Sequence, residues 1–525
     1  MKSRLPFNVL LHAAALAGLL AACTPPVPGP VPERAPATER EARFRAQVAG
    51  LGALPVLASP PAVYANAQGI LTTTLTAAPG RYRLGGNIFT GNVYNGLYAP
   101  PTLNVPPGGT LNISLVNQVN DSIRGQRDTA WTNLHTHGLN VSPKSPGDDV
   151  LLRVPNQTTF RYNINLPPWH RPGLYWYHPH PHGRSETQVL GGMSGALVVS
   201  GLTDYFPPYE GIREVVMLLK DHVDPAAPEG AKIKSINGLP VSEIRIAPNE
   251  LQLWRIANVG ADAYYNLKLV DIYLRPVPFE IIARDGNAVI VDELLADSVL
   301  LPPSSRVEVV VWGRAEPLYL LSDSVDTGPV GDPNPPVLLA QVGSPRSPAA
   351  PSSPRPAQAG LSPRQRALAD TVAKVLRDSI GANRRTFVFS EDTANNIFFI
   401  NDSVYDPRRV DTRVPVPSTE VWTLVNASPE VHVFHIHQGD FLVTEINGVP
   451  QTVTGFVDTV NLPYQANGQP GVVKIVIPFT NPLAMGEFVY HCHILEHEDG
   501  GMMQNIMLYP AGTQPPAPRP RAAHH

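Results

Sequence analysis

The stretch that decides both fold and chemistry in this 525-residue chain spans residues 490–503 and reads Tyr-His-Cys-His-Ile-Leu-Glu-His-Glu-Asp-Gly-Gly-Met-Met. Its first part suits a β-strand, in which successive side chains point to opposite faces. His491 and His493 would therefore share one face, and Cys492 would lie on the other. A single strand would then contact two different metal sites.

The Cys492 side of this strand matches the ligand set of a blue-copper electron-transfer centre. Such a centre uses one thiolate, two imidazoles and a distant thioether. His497 and Met502 follow the cysteine at the spacing Cys-x4-His-x4-Met, and His432 offers the second imidazole. The other cysteine of the chain, Cys23, has such different surroundings that we expect no disulfide between the two. Cys492 is better explained as a metal ligand.

The histidines are concentrated in a few short segments. Ten of the sixteen fall into four clusters, in which the spacing His-x-His recurs. On a strand this spacing places two imidazoles side by side on one face, as neighbouring ligands of one metal cluster require. The four clusters contain His135 and His137; His178 and His180; His432, His435 and His437; and His491, His493 and His497.

These four segments resemble the signature segments of the multicopper oxidases, the laccase-like enzymes of three cupredoxin domains, here of the bacterial type. The resemblance implies an all-β fold of three Greek-key β-sandwich domains, and an oxidase that passes electrons from a reducing substrate to dioxygen. It also implies copper as cofactor: one type 1 ion, one type 2 ion and two type 3 ions. By this resemblance type 1 copper takes His432, Cys492, His497 and Met502; type 2 copper takes His135 and His435; and the type 3 pair takes His137, His178, His180, His437, His491 and His493.

Two carboxylates are predicted catalytic residues, Glu498 and Asp148, because the reduction of dioxygen to water consumes protons. Glu498 follows a type 1 ligand, where relatives carry an acid that helps to supply protons; a solvated loop carboxylate is the alternative. The family places a second acid near type 2 copper, in the loop after His137. Either Asp148 or its neighbour Asp149 fits that place.

The remaining histidines point to metal binding less strongly. His182 extends the alternation of the second cluster, but the family has two ligands there, so we interpret His182 as an outer or surface residue. His170, His222 and the terminal pair of His524 and His525 follow no such spacing.

The rest of the chain indicates several β-domains. A length of 525 residues exceeds one ordinary core, and 58 prolines favour short strands over long helices. A strand-like pattern that ends in asparagine recurs at residues 113–117, 254–258 and 422–426, at distances typical of whole domains. We therefore expect three homologous domains. The resemblance implies that the ligands lie in the first and third domains, with the middle one as a spacer, and no predicted ligand falls between residues 204 and 383. The predicted bounds are 62–203, 204–343 and 384–511, with a tail at 512–525.

The linker before the third domain, residues 344–383, is predicted to contain one helix. A Pro/Ser/Ala-rich stretch precedes Ser362-Pro363-Arg364-Gln365, a capping-box start with proline at the first helical position. Gly381 would end the helix. Its apolar face, suited to packing on a domain, consists of Leu368, Val372, Val375 and Leu376.

The amino-terminal residues are typical of an export signal. Lys2 and Arg4 precede an apolar stretch that is too short to span a membrane. Residues 1–22 would be removed, and the sequence Leu-Ala-Ala-Cys that ends at Cys23 resembles the bacterial lipoprotein box; an ordinary cleaved signal is the alternative. Residues 23–61 would then form a Pro-rich tether. We expect an exported protein of the periplasm or cell envelope, with membrane contact only through this anchor.

Charge and methionine content bear on partners and substrate. A net charge of −4 without a Lys/Arg cluster argues against nucleic acid. We expect a monomer that uses dioxygen and a small-molecule or metal-ion reductant. Phenols or aromatic amines are the first prediction, because seven methionines are too few for a Met-rich cuprous oxidase. Oxidation of Cu(I), Fe(II) or Mn(II) is the alternative. The alternative of another class is a non-enzymatic copper-binding or envelope protein on the same fold.

Overall fold

The computed structural model describes residues 38–120, 130–223, 231–343 and 360–516. The predicted signal segment with Cys23, and the terminal histidines, lie outside these ranges. The described chain is mainly β-strand and forms three successive units, each built from two sheets around a buried apolar core. The all-β prediction is confirmed.

Part of the predicted tether is folded. Helix α1 (Glu39–Ala49) packs on the middle unit, where the ring of Phe44 meets the ring of Tyr319 edge-on at 5.4 Å between centroids. Leu57 is buried in the core of the same unit. The prediction of an extended tether over residues 23–61 therefore needs correction within its described part, because apolar side chains at helical spacing cover a surface of the middle unit.

The first unit contains two sheets. One has the strand order β1-β4-β11-β10-β7 and the other the order β3-β2-β5-β9, while β6 and β8 pair separately. A short helix, α2 (Ser185–Leu190), lies between the last two strands. The strands are β1 (Ala62–Tyr64), β2 (Ile70–Leu84), β3 (Asn87–Tyr94), β4 (Thr102–Val105), β5 (Thr110–Asn117), β6 (Trp131–Thr132), β7 (His135–His137), β8 (Val154–Pro155), β9 (Thr159–Asn165), β10 (Gly173–His178) and β11 (Gly195–Val199).

The middle unit follows two 3-10 turns, Leu202–Tyr205 and Pro207–Tyr209. One sheet has the order β13-β12-β15-β21-β17-β18, with β19 also paired to β17, and the other has the order β14-β23-β22-β16-β20. The strands are β12 (Arg213–Val223), β13 (Lys232–Ile236), β14 (Ser242–Ile244), β15 (Leu251–Asn258), β16 (Tyr265–Val270), β17 (Phe279–Arg284), β18 (Asn287–Ala288), β19 (Leu295–Ala296), β20 (Val299–Leu301), β21 (Arg306–Trp312), β22 (Leu318–Asp323) and β23 (Val337–Val342).

The predicted linker helix is present as α3 (Pro363–Asp378), and a 3-10 turn, Ser379–Gly381, follows it. The capping box also forms: the Ser362 hydroxyl accepts from the N–H of Gln365 (3.2 Å), whose side chain accepts from the N–H of Ser362 (3.0 Å). The apolar face of α3 joins the core of the middle unit. Within the described ranges, no helix has the length and apolar character that crossing a membrane requires.

The third unit carries the Cys492 segment, residues 490–503. One sheet has the order β25-β24-β27-β32-β29-β30 and the other the order β26-β34-β33-β28-β31. The elements are β24 (Asn383–Asp392), β25 (Ile397–Ile400), β26 (Thr412–Val416), β27 (Ser418–Asn426), β28 (His432–Ile436), β29 (Leu442–Ile446), β30 (Val449–Pro450), β31 (Thr459–Leu462), β32 (Gly471–Phe479), a 3-10 turn at Pro482–Ala484, β33 (Gly486–Cys492), α4 (Leu495–Asp499) and β34 (Met503–Pro510).

The recurring sequence pattern marks the same place in each unit. It forms the end of β5, β15 and β27, and each of these strands pairs parallel with one neighbour and antiparallel with another. The terminal asparagines, Asn117, Asn258 and Asn426, each donate to two backbone carbonyls and accept one backbone N–H two residues ahead. The repeat therefore ends a strand and fixes the loop that follows.

Candidate metal centres

Four strands position the histidine segments. In the third unit β28 pairs antiparallel with β33, so that His435 lies opposite His491. In the first unit β7 pairs antiparallel with β10, so that His135 lies opposite His178. All four side chains are buried. Each pairing therefore gathers imidazoles from two separate segments onto one sheet.

The Cys492 side of β33 faces a compact site inside the third unit. The Cys492 Sγ lies 3.6 Å from Nδ1 of His497 and 3.9 Å from Nδ1 of His432, and these two nitrogens are 3.0 Å apart. The N–H of Val433 also donates to Sγ (3.3 Å). Met502 is fully buried in the same core, and its carbonyl accepts from the N–H of Cys492 (3.0 Å). We call this group, formed by His432, Cys492, His497 and Met502, the thiolate site.

The outer ring nitrogens of the thiolate site have partners in the protein. Nε2 of His432 lies 2.8 Å from the hydroxyl of Ser428, and Nε2 of His497 lies 3.2 Å from the carboxylate of Glu430. Such outer contacts orient metal-binding imidazoles. Both Nδ1 atoms consequently face the sulfur. Burial holds the pKa of His432 well below its usual value, which leaves the neutral ring that binds metals.

The opposite side of β33 faces a second group, which we call the histidine cluster. The first and third units interleave there: the rings of His135 and His437 stack at 3.9 Å between centroids, and so do the rings of His137 and His435. The side chains are almost completely buried. The cluster consists of His135, His137, His178, His180, His435, His437, His491 and His493.

Within the histidine cluster, whose members all lie within the described ranges, the ring nitrogens form overlapping groups that span at most 4.8 Å: His135, His435 and His437; His135, His137 and His178; and His180, His437 and His491. Nε2 of His491 lies 3.2 Å from Nε2 of both His180 and His437. Another group, with ring centroids 5.0 to 5.9 Å apart, consists of His137, His178 and His493. The ring centroids of His135 and His435 lie 6.3 Å apart, and each of these rings stacks on another member of the cluster at 3.9 Å.

Several nitrogens of the histidine cluster fit a metal because the protein offers them nothing else. Among the described residues, the buried nitrogens without a hydrogen-bond partner include Nε2 of His135, His178 and His435 and Nδ1 of His137. Their other nitrogens have protein partners; Nδ1 of His435, for example, donates to the carbonyl of Asp458 (2.8 Å). A buried polar atom without a partner costs about 1–3 kcal/mol. Metal ions held by these nitrogens would remove that cost.

The charge state of the histidine cluster also suits metal ions. Burial lowers the pKa of His178 to about 3 and that of His491 to about 4. Burial and the neighbouring imidazoles lower the pKa of the other six members as well. The rings are therefore neutral at neutral pH, and the neutral ring is the form that binds a metal.

The structure places one of the two candidate acids of the loop after His137 directly behind the cluster. The carboxylate of Asp148 lies 2.9 Å from Nδ1 of His135 and also accepts from the side-chain amide of Gln438 (2.7 Å). The neighbouring Asp149 accepts from the N–H of Leu151 (3.3 Å). Burial raises the pKa of Asp148 to about 7. The geometry therefore associates Asp148, rather than Asp149, with His135.

Glu498 connects two histidines that come from different units. Its buried carboxylate lies 3.5 Å from Nδ1 of His180 and 3.2 Å from Nδ1 of His491, and it accepts from the hydroxyl of Ser185 (2.9 Å). Burial, with the nearby charge of Asp499, raises the pKa of Glu498 well above its usual value. A solvated loop carboxylate, the alternative considered from sequence, does not describe this environment.

Two charged residues next to the cluster were not predicted from the sequence. The carboxylate of Asp458 lies 3.4 Å from Nε2 of His137, in addition to the contact of its carbonyl with His435. Arg306, from the middle unit, donates two hydrogen bonds of 2.6 and 2.7 Å to that carboxylate. Neither residue belongs to a histidine segment, and no local pattern marks them. Ser428 and Glu430, in contrast, precede His432 closely enough to have been considered.

Three other histidines have ordinary surroundings. His182 packs its ring against Tyr405 at 4.7 Å between centroids, and His222 packs against Phe89 at 4.0 Å. Nε2 of His170 accepts from the N–H of Asn140 (3.1 Å). In the described part of the chain, none of the groups that could hold a metal ion includes these rings.

The chain is similar to known proteins over most of its length. Two family models, both described as multicopper oxidase, match residues 80–203 and 379–511. The multicopper oxidase mco of Staphylococcus haemolyticus is 25% identical over 466 residues, which cover 84% of this chain and 89% of that protein. A solved multicopper oxidase from Campylobacter jejuni, described as a metallo-oxidase, has a TM-score of 0.69 at 24% identity and covers 88% of this chain and 96% of its own. A laccase structure from Pediococcus acidilactici has a TM-score of 0.69 at 22% identity, with coverage of 87% and 94%.

Proposed function

This chain belongs to the multicopper oxidase family, a family of copper-dependent oxidoreductases, and on that basis we propose that it oxidises phenols or aromatic amines and reduces dioxygen to water. The observation that carries the proposal is the arrangement around β33, which has a thiolate site on one side and a histidine cluster on the other. A single thiolate with two imidazoles suits electron transfer, and many imidazoles together suit a multinuclear site.

The ligand assignment follows the resemblance of the four histidine segments to the signature segments of the family. Type 1 copper would be held by His432, Cys492, His497 and Met502, and type 2 copper by His135 and His435. The two type 3 ions would be held by His180, His437 and His491, and by His137, His178 and His493. When bound, copper at the thiolate site would take up single electrons from the substrate, and copper in the histidine cluster would reduce dioxygen to water.

The residues of β33 connect the two sites covalently. Cys492 is bonded through the backbone to His491 on one side and to His493 on the other, and both imidazoles belong to the histidine cluster. Burial of the strand excludes water from this connection. Electrons can therefore pass from the thiolate site to the histidine cluster along a buried covalent path.

Two carboxylates would hold protons for the formation of water. Glu498 lies behind His180 and His491, and its contact with the hydroxyl of Ser185 leads toward helix α2. Asp148 lies behind His135 and contacts Gln438. A carboxyl group that hydrogen-bonds a ligand on one side and a polar side chain on the other can pass a proton along. We propose these two as the catalytic acids.

A metal-ion reductant is the second candidate, and one observation favours it. The carboxylate of Glu430 lies 3.2 Å from Nε2 of His497 and is 13% exposed, so a cation at the surface could be bound one side chain away from the thiolate site. Glu391 lies beside Glu430. Carboxylates suit Fe(II) and Mn(II), whereas Cu(I) prefers thioethers, which are few in this chain.

Oxygen uptake by copper-loaded protein separates these candidates. We expect uptake with a phenol and an aromatic amine, and Glu430→Gln should lower the uptake driven by Fe(II) or Mn(II) more than that driven by the phenol. Asp326→Asn, at another surface carboxylate that accepts from Tyr464, is a matched control. Uptake with metal ions but not with phenols would reverse the order of the candidates. Protein that binds copper and consumes no oxygen with any reductant would contradict the proposal.

We further propose that the chain acts as an exported monomer, with a lipid anchor at Cys23. The basis is the amino-terminal sequence alone. Mass spectrometry of the mature protein from a bacterial host should find a lipid-modified cysteine as the first residue, and sedimentation of the copper-loaded protein should give the mass of one chain. An unmodified amino terminus elsewhere would contradict the anchor.

A further inference from the structure

We propose that the middle unit supplies a positioning residue, Arg306, which holds two histidines of the cluster in place through Asp458. This inference rests on the copper ligation proposed above. It assigns to the middle unit a part in the metal centre, whereas the sequence suggested a spacer.

Arg306 is fixed on every side of its guanidinium group. The residue is 1% exposed, and its side chain is among the largest fully buried ones of the described residues. Its Nε donates to the carbonyl of Leu174 (3.2 Å) and its Nη1 to the carbonyl of Ser304 (3.1 Å). The same Nη1, together with Nη2, binds Asp458 in the two-pronged geometry that is specific to arginine. A lysine could not reproduce these contacts at once.

Asp458, held by Arg306, in turn contacts two imidazoles of the cluster. Its backbone carbonyl accepts from Nδ1 of His435 (2.8 Å), and its carboxylate lies 3.4 Å from Nε2 of His137. These contacts engage the outer nitrogen of each ring, and in each case the opposite nitrogen is the buried one without a partner. The rings of His137 and His435 also stack on each other at 3.9 Å. Arg306 thus determines which nitrogens face the interior of the cluster.

A glycine makes room for this pair. A Cβ at Gly138 would lie 2.6 Å from Nη2 of Arg306 and 2.6 Å from Oδ2 of Asp458, closer than side-chain atoms approach. The backbone of Gly138 also has a φ of +86°, which favours glycine. The residue after His137 is therefore small because the ion pair occupies the space beside it.

A second buried arginine of the middle unit offers a matched control. Arg255 is 2% exposed and pairs with Glu308, whose carboxylate accepts from the N–H of Leu174 (2.9 Å). Both arginines thus help to dock the middle unit on β10, at the same residue. Arg306 also reaches the histidine cluster through Asp458, whereas the contacts of Arg255 are with Glu308 and Glu214.

The experiment compares Arg306→Lys with Arg255→Lys and with the unaltered protein, all loaded with copper. The readouts are the electron paramagnetic resonance signal of type 2 copper, the blue absorption of the thiolate site and copper retention against a chelator. Loss of an outer partner of metal ligands lowers metal affinity about 10- to 100-fold. In Arg306→Lys we expect this loss at the histidine cluster and an altered type 2 signal, with the blue absorption unchanged. Arg255→Lys should leave all three readouts as in the unaltered protein.

The outcomes distinguish the inference from its premise. An unchanged type 2 signal and affinity in Arg306→Lys, or equal changes in both variants, would overturn the inference. If Arg306→Lys does not fold, Asp458→Asn takes its place under the same criteria. Copper-free histidines in the unaltered protein would contradict the proposed function itself, not only the role of Arg306.

Discussion

The two sides of strand β33 are built in different ways. The thiolate site draws all its residues from the third unit, between His432 and Met502. The histidine cluster needs the first and third units together, and Arg306 of the middle unit braces it from behind. The site proposed for electron uptake thus lies within one unit, whereas the site proposed for dioxygen forms only where the first and third units dock. Substitutions at one of the two sites should therefore leave the spectroscopic signal of the other site unchanged.

The largest effect is expected from Cys492→Ser. Serine lacks the thiolate, so the blue absorption should disappear and oxygen uptake should fall below detection. The histidine cluster should keep its copper, because the serine side chain points away from it. Copper analysis of the variant checks this. Loss of all copper would show that the two sites are not separate.

Glu498→Gln should impair the oxygen side alone. Glutamine cannot deliver a proton, so turnover should fall roughly 100-fold or more, within the range for loss of a general acid. The blue absorption should persist. The rate at which substrate reduces the thiolate site, measured by rapid mixing in the absence of oxygen, should not change. Glu496→Gln, on the same helix with a contact to Asn396, is the control. Equal slowing of both steps would contradict a role in proton delivery.

Asp148→Asn should weaken copper binding in the histidine cluster without altering the thiolate site. His135 would lose a charged partner, and affinity should fall about 10- to 100-fold. Titration with a copper chelator, followed by the type 2 signal and the blue absorption, measures the two sites separately. Asp149→Asn should change neither. If Asp149→Asn has the stronger effect, the assignment of the acid must be reversed.

Ser428→Ala should give the smallest effect, confined to the thiolate site. His432 would lose one neutral hydrogen bond, which contributes about 0.5–1.5 kcal/mol. We expect a small shift of the blue band and a slightly lower melting temperature. Thr371→Ala is the control. It removes an exposed hydroxyl of α3 that belongs to neither site. A change in the type 2 signal would contradict the independence of the two sides.

A feature could be predicted from the sequence when it depends on residues that are close together along the chain. Strand alternation is local, so the opposed faces of His491 and Cys492 could be predicted, and the linker helix could be predicted from Ser362 and Gln365. The pairing of Arg306 with Asp458 joins residues 152 positions apart. It depends on how two units dock, and neither residue belongs to a repeated pattern.

The folded amino-terminal segment shows the same limit. Prolines are frequent in the residues before α1. On composition alone, the predicted tether was extended to residue 61 and so included residues that are folded. The helix is supported by contacts of Phe44 with Tyr319 and its neighbours in the middle unit. An amphipathic helix of this length depends on such a surface for its stability. The composition of the segment contains no information about the surface of the middle unit on which α1 packs.

Strand β33 would separate two copper sites, one on each of its faces. X-ray diffraction from crystals of copper-loaded protein, recorded at the copper absorption edge, can locate the copper ions on both faces of the strand. We expect one anomalous peak beside Cys492 Sγ and further peaks among the eight histidines on the opposite face of β33. Anomalous peaks confined to one face, or absent from both, would contradict this separation.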